Sequence, residues 1–218
     1  MTGFTDYSAK NFLNYIVGKT AVPSLPTVYV GLFTAVGTDA GTGFTEVSGG
    51  SYARVATSGA TWNAASGTAP STTSNASTIT FPQATASWGT VIAFGLFDAS
   101  SGGNLLAWDF LGNDPWVPFS CTSASPGVLT AIGITANSNP TLANGAPVVV
   151  SSEYGGTLPT GLTQYTVYTV AGLSADTFNV GTNTSSTGDG MVRQITQQPI
   201  AINITPSYAA GALTIVSA

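Results

Sequence analysis

The chain has 218 residues, 43% hydrophobic and only 6% charged, with four Lys/Arg against nine Asp/Glu, no histidine and one cysteine. Soluble chains ordinarily carry about 25% charged residues, and most catalysts need clustered titratable groups to move protons or hold metals. A formal charge of −5 argues against a nucleic-acid binder, which needs clustered Lys/Arg, and the missing histidine removes Ser-His-Asp, Cys-His and His-ligated metal chemistry. What remains suits a rigid β module whose surface meets other protein surfaces.

The first element is the one clear helix, predicted over residues 6–17. Ala9, Phe12, Leu13, Ile16 and Val17 recur at helical spacing. Thr5 or Asp6 can cap its start, Gly18 can end it, and Lys19 follows where a cation suits the C-terminus. This stripe, Phe12 and Ile16 above all, is expected to pack on a sheet or on a neighbouring subunit. The opening residues have no basic stretch of a secretory signal, and no run of about 18 apolar residues exists, so no membrane segment is expected. The protein is expected to fold in the cytoplasm where it is made.

Strand patterns follow. Strands are predicted at 27–33, 51–57, 77–81, 89–97 and 105–111, with Gly-rich or polar loops at 37–50 and 64–76 and a hairpin turn at 99–104 carrying Gly102-Gly103. Residues 112–126 are rich in turn formers. A second block follows, with short strands predicted at 128–134, 147–151, 164–170, 176–180 and 191–195. Two final strands are expected at 200–204 and 213–216. Short strands joined by turn-rich loops, without alternating helices, predict an all-β jelly roll or sandwich.

Candidate chemistry is sparse. Cys121 reads as a buried small hydrophobe, since no histidine can activate it. Arg54 reads as half of a structural ion pair with Glu46 or an aspartate. Asp109 and Asp114 stand five apart near Trp108 and Trp116 in a pattern faintly like a glycosidase carboxylate pair, but Asp114-Pro115 reads better as a loop opener. Trp108 and Trp116 read as core or interface anchors. The loop at 183–190 offers one carboxylate, too few for calcium, and the Gly-rich loops lack a phosphate-binding lysine. No cofactor, metal or catalytic residue is expected, and the chain reads as a non-enzyme.

Four segments carry a resemblance: Val28-Tyr-Val-Gly-Leu-Phe-Thr34, Glu46-Val-Ser-Gly-Gly-Ser-Tyr-Ala-Arg-Val-Ala56, Phe94-Gly-Leu-Phe-Asp98 and Gly103-Asn-Leu-Leu-Ala-Trp108. With the helix and its Pro-rich exit they resemble tailed-phage virion proteins, often labelled tail fibre protein, that are similar to jelly-roll capsid cement or decoration proteins. The closing strand of that family is similar to Pro206-Ser-Tyr-Ala-Ala-Gly-Ala-Leu-Thr214. Between the halves, Leu142-Ala-Asn-Gly-Ala-Pro-Val-Val-Val150, Gly156-Thr-Leu-Pro-Thr-Gly-Leu162, 165–170 and Asp176-Thr-Phe-Asn-Val180 resemble a small β domain of phage structural proteins. The resemblance implies a jelly-roll host of residues 1–126 plus 197–218, with 127–196 inserted.

The expected function is a capsid cement protein on the outer face of the phage head, bridging major capsid subunits. Its expected partners are the major capsid protein and itself, as a dimer or trimer, with no nucleic acid and no membrane. The interface candidates are Phe12, Ile16, Arg54, Trp108 and Trp116. The alternative is a tail fibre or tail-tip component that stacks Trp62, Trp88, Trp108 or Trp116 on a host glycan.

Overall fold

The computed structural model describes residues 3–21, 27–67, 71–112, 114–122, 127–131, 142–152 and 155–217. They form two compact units: Met1–Leu111 with Gln197–Ala218, and Gly112–Thr196. Apart from one α-helix and one 3-10 turn, the regular structure among the described residues is β, as the alternation of apolar and short polar residues predicts.

The first unit opens with β1 (Gly3–Phe4) and α1 (Asp6–Ile16). Then come β2 (Val28–Ala35), β3 (Thr45–Glu46), β4 (Val55–Thr57), β5 (Ser71–Ser74) and β6 (Ile79–Thr80). Its first segment ends with β7 (Gly89–Val91), β8 (Ala93–Phe97) and β9 (Leu105–Phe110). An antiparallel sheet runs β1-β9-β8-β2-β3, with β4 also on β2. The C-terminal segment returns as three strands, each closing a two-stranded ribbon. Gln198–Ile200 lies on β7, Ser207–Tyr208 on β6 and Thr214–Ser217 on β5.

Sheet and ribbons enclose one core, which makes the unit a β-sandwich. The sheet contributes Val30, Leu32, Phe94 and Ala107; the ribbons contribute Ile79, Val91, Ile200, Tyr208 and Ile215. Strand alternation sends the intervening residues to the other face. There Phe33, Phe44, Trp108 and Phe110 pack in a chain with ring centroids 4.8–5.4 Å apart.

Among its described residues the second unit forms one antiparallel sheet of seven strands. They are β10 (Val117–Cys121), β11 (Leu129–Ala131), β12 (Pro147–Ser151), β13 (Tyr168–Thr169), β14 (Ala171–Ser174), β15 (Thr177–Asn179) and β16 (Gly188–Gln194). Their order is β13-β12-β16-β10-β11-β15-β14. Phe119, Leu129, Val148, Val150, Phe178 and Val192 lead its separate core.

Several expected boundaries move. The second unit begins at Gly112, not at 127, because β10 pairs with β16 and β11. Pro118 hid this strand. It is accommodated because the β11 ladder begins only at Phe119, leaving Pro118 paired with β16 alone. The polar stretch 64–76, expected as a loop, holds β5, whose Ser and Thr pair with the last strand. The apolar run 89–97 is two strands, split at Ile92. There the Ile92 N–H donates to Phe33 O, its carbonyl accepts from Leu111 N, and the chain passes from one ladder to another. The strand expected at 200–204 stops at Ile200. Part of the strand expected at 128–134 lies outside the described residues.

Candidate functional site

The helix is tied down at its start. The Thr5 hydroxyl donates to Leu105 O at 2.6 Å, the Thr5 N–H to Leu106 O, and the Asp6 N–H to Asp39 O. Thr5 also accepts from Ser8 N as N-cap. At the other end Gly18, with φ +72°, forms a Schellman cap: Gly18 N–H donates to Tyr15 O and Lys19 N–H to Asn14 O.

Between these caps the apolar stripe is left in the open. Phe12 is 62% exposed, Leu13 59%, Ile16 60% and Val17 66%, and no residue of the helix is buried. Of the two expected places for Phe12 and Ile16, the sheet is therefore corrected, while the neighbouring subunit is outside a single chain. The caps and the Thr5 anchor fix the helix by its base, and its apolar face turns to solvent.

Arg54 is the centre of a polar cluster that the sheet assembles. Its Nε and Nη2 donate to the two carboxylate oxygens of Glu46 at 2.7 Å each. Its Nη1 donates to the Ala99 and Gly102 carbonyls of the β8–β9 hairpin at 2.8 Å. The guanidinium lies 3.3 Å from the Phe97 ring centroid. Tyr52 extends the cluster: its hydroxyl donates to Glu46 Oε1 at 2.8 Å and accepts from Leu32 N at 2.8 Å. Burial pushes the Tyr52 hydroxyl far above the usual tyrosine range.

The backbone is shaped for this cluster. A side chain at Gly31 would meet Phe97, Glu46 and Tyr52 within about 3 Å. An open cavity of ≈ 380 Å³ beside it is lined by Val47, Tyr52, Arg54, Ser100 and Gly102 among others. The charged groups on its wall are already committed to protein partners. They can clamp the β3 and β4 region to the hairpin, but they offer little to a ligand.

Trp108 is fully buried and its indole N–H donates to Asp39 at 3.3 Å. Trp88 is buried and donates to Gly50 O; the half-buried Trp62 donates to Thr57 Oγ1. Trp116, in the second unit, is half-buried with its ring 6.3 Å from Tyr165 and 6.0 Å from the Arg193 guanidinium. Trp88 and Trp108 are therefore closed to a stacking sugar ring.

Asp109 is buried in the first unit, accepting from Phe110 N at 2.7 Å, whereas Asp114 belongs to the second unit. Cys121 is buried, its sulfur 3.9 Å from Thr184 Oγ1. Asp189, expected in a loop at 183–190, lies in β16 and accepts from Thr157 N at 2.7 Å. Among the described residues no three His, Cys, Asp or Glu side chains gather as a metal site, and no helix is long and apolar enough to cross a membrane.

Sequence reasoning placed Arg54 beside Glu46 but missed Tyr52 as the third member. Tyr52 stands two residues before Arg54, the spacing at which an extended chain turns both side chains to one side. Residues 3–118 match the model of the family described as podophage GP4 fiber I protein gp80. The chain belongs to this family. It is accordingly a bacteriophage virion structural protein. The match spans β1 to β9, and so takes in α1, the Arg54 cluster and all four tryptophans, but ends at Pro118, near the start of the second unit. No curated protein matches the chain.

Proposed function

We propose that the chain is a fibre component of the virion, a non-enzymatic protein that works through surface contact. The carrying observation is the family match over the whole first segment of the sandwich unit, in a family described as a fiber protein. The site chemistry supports the same reading. The Arg54 cluster is spent on holding the fold, the tryptophans donate inward or lie half-buried, and the conspicuous free feature is an apolar helix face. Such a surface acts by burying area against another protein.

Capsid decoration is the second reading. One observation favours it: the sequence has no long repeat or heptad run of the kind that extends a fibre shaft. Its partner would be the major capsid protein.

Quantitative gel analysis of purified virions, with immunogold labelling, separates the two. A low copy number with label at the tail supports the fibre. One copy per capsid lattice position with label over the head overturns it.

A further inference from the structure

The sheet of the second unit has both its ends in one stretch of chain. β13 and β14 stand at opposite ends of the strand order, yet only Val170 separates them in sequence. The sheet therefore closes on itself. Val170, buried in the unit's core, is the corner where the chain passes from β12 to β15.

A turn latches that corner. Ala146 N–H donates to Ala143 O across Asn144-Gly145, with Gly145 at φ +88°, which makes a type II turn. Gly145 N–H donates to Val170 O at 2.8 Å, and Val170 N–H to Ala146 O at 2.9 Å. The ladder register jumps between Ala171 and Ser174, and the Leu173 N–H donates to Asn144 Oδ1 at 2.9 Å.

Asn144 is exposed, and a Cβ added at Gly145 would meet nothing within 4 Å, so water reaches both residues. They form the only Asn-Gly pair in the sequence. Glycine has no side chain to hinder an attack by its own amide nitrogen.

We propose that Asn144 is a self-modifying site whose reaction is timed by this latch. Gly145 N attacks Asn144 Cγ. The N–Cγ bond forms, the Cγ–Nδ2 bond breaks, and ammonia leaves with the proton that Gly145 gives up. The five-membered imide then takes up water. Opening at Cγ leaves aspartate. Opening at the Asn144 backbone carbonyl leaves isoaspartate, with one extra methylene in the main chain. The net change turns an amide and water into a carboxylate and ammonium, with no oxidant or reductant.

The closed latch opposes this chemistry. The nitrogen that must attack holds its proton on Val170 O, and the carboxamide that must be attacked is held on Leu173. A type II turn also sets its second residue near ψ of about +120°, which swings the Gly145 nitrogen away from the Asn144 side chain. Ring closure therefore waits for a local opening of the corner. The rate is that of an unstructured peptide multiplied by the fraction of time the latch is open.

The two products part ways. Aspartate still presents an oxygen to the Leu173 N–H, and its charge strengthens that bond. Isoaspartate lengthens the turn and pulls Gly145 off Val170. A virion protein is not replaced after assembly, so this branch loosens the closure of the second unit as particles age. The inference does not depend on the choice between fibre and decoration.

Ageing the unaltered full chain at mildly alkaline pH tests it. Peptide mapping by mass spectrometry reads the conversion, and enzymatic methylation reads isoaspartate. A synthetic peptide spanning Leu142–Val150 gives the ungated rate. Asn144 should convert to both products in the chain, more slowly than in the peptide by on the order of tenfold or more. The slowing should equal the protection of the Gly145 amide from hydrogen exchange, because both processes need the same N–H set free. Asn144→Asp should keep that protection.

Conversion at the peptide's rate would overturn the gate. A chain still unconverted after the time that the measured protection sets would overturn the site. Loss of the Gly145 protection in Asn144→Asp would overturn the divergence of the two products.

Discussion

Replacing Arg54 with alanine is the sharpest test of how the first unit is held together. The change removes four donated hydrogen bonds, two to Glu46 at 2.7 Å and two to hairpin carbonyls at 2.8 Å, together with the stack on Phe97. Losing one partner of a buried ion pair costs about 3–5 kcal/mol. The Arg54 side chain is 7% exposed but Glu46 is 26% exposed, so water can partly re-solvate the abandoned carboxylate. The low end, about 3 kcal/mol, is therefore expected. For a unit of this size that lowers the melting temperature by on the order of 10 °C. Urea titration followed by tryptophan fluorescence gives the midpoint, and an unchanged slope shows that the unfolded state is not the cause. Arg54→Lys should recover only part of the loss, since an ammonium cannot hold Glu46 by two parallel bonds and reach both carbonyls. A cycle with Glu46→Gln should show coupling above about 1 kcal/mol. A loss below about 1 kcal/mol for Arg54→Ala, the size of an ordinary exposed pair, would refute the clamp.

Three further outcomes follow from particular groups. The Tyr208 hydroxyl is buried without a hydrogen-bond partner among the described residues, and burial pushes it well above the usual tyrosine range; Tyr208→Phe should therefore stabilise by about 1 kcal/mol in the same titration, and a loss of stability would show a missed partner. At Asp98 burial disfavours the charge, but bonds from the Asn104 side chain and backbone, its own backbone and the nearby Arg54 outweigh it and hold the carboxyl below the ordinary 3.8. Its contribution is then present above that value and lost as pH falls through the folded-state value, so the midpoint deficit of Asp98→Asn should be visible at about pH 7 and shrink as pH is lowered through the acidic range; a deficit independent of pH would show that ionisation is irrelevant. Removing 112–196 and joining Leu111 to Gln197 through a short Gly-Ser linker should leave a soluble β-rich unit, because Leu111 bonds to Ile92 and Gln198 lies opposite Val91, which brings both ends to neighbouring residues. An insoluble product would mean that the two units depend on one another.

Legibility in the sequence followed how local each signal was. The helix declared itself through Thr5, the 3-4 spacing of its apolar residues and Gly18, all within one short stretch. The hairpin at Gly102-Gly103 did the same. β5 did not, because Ser71–Ser74 carries no apolar alternation and is a strand only through pairing with residues at the far end of the chain. The break at Ile92 was hidden for the converse reason: the run is apolar throughout, and only its partners change. The Arg54–Glu46 pair could be named from charge scarcity, but the Ala99 and Gly102 carbonyls that complete it carry no side-chain signature. Periodicity identified the apolar face of the helix, but could not choose between the sheet and a neighbouring subunit as its cover.

The three C-terminal ribbons impose an order on synthesis. Ile200, Tyr208, Leu213 and Ile215 fill the core of the sandwich, yet they are translated only after the second unit. Before they arrive, Val30, Leu32, Phe94 and the rest of the first segment have an open side, and the whole of Gly112–Thr196 has to be translated in between. At about 5–20 residues per second the wait lasts roughly 5–20 s, long enough for the second unit to fold first. A chain that stops short of Gln197 lacks the strands that seal its sandwich, so the first unit can close only after the whole second unit has been made.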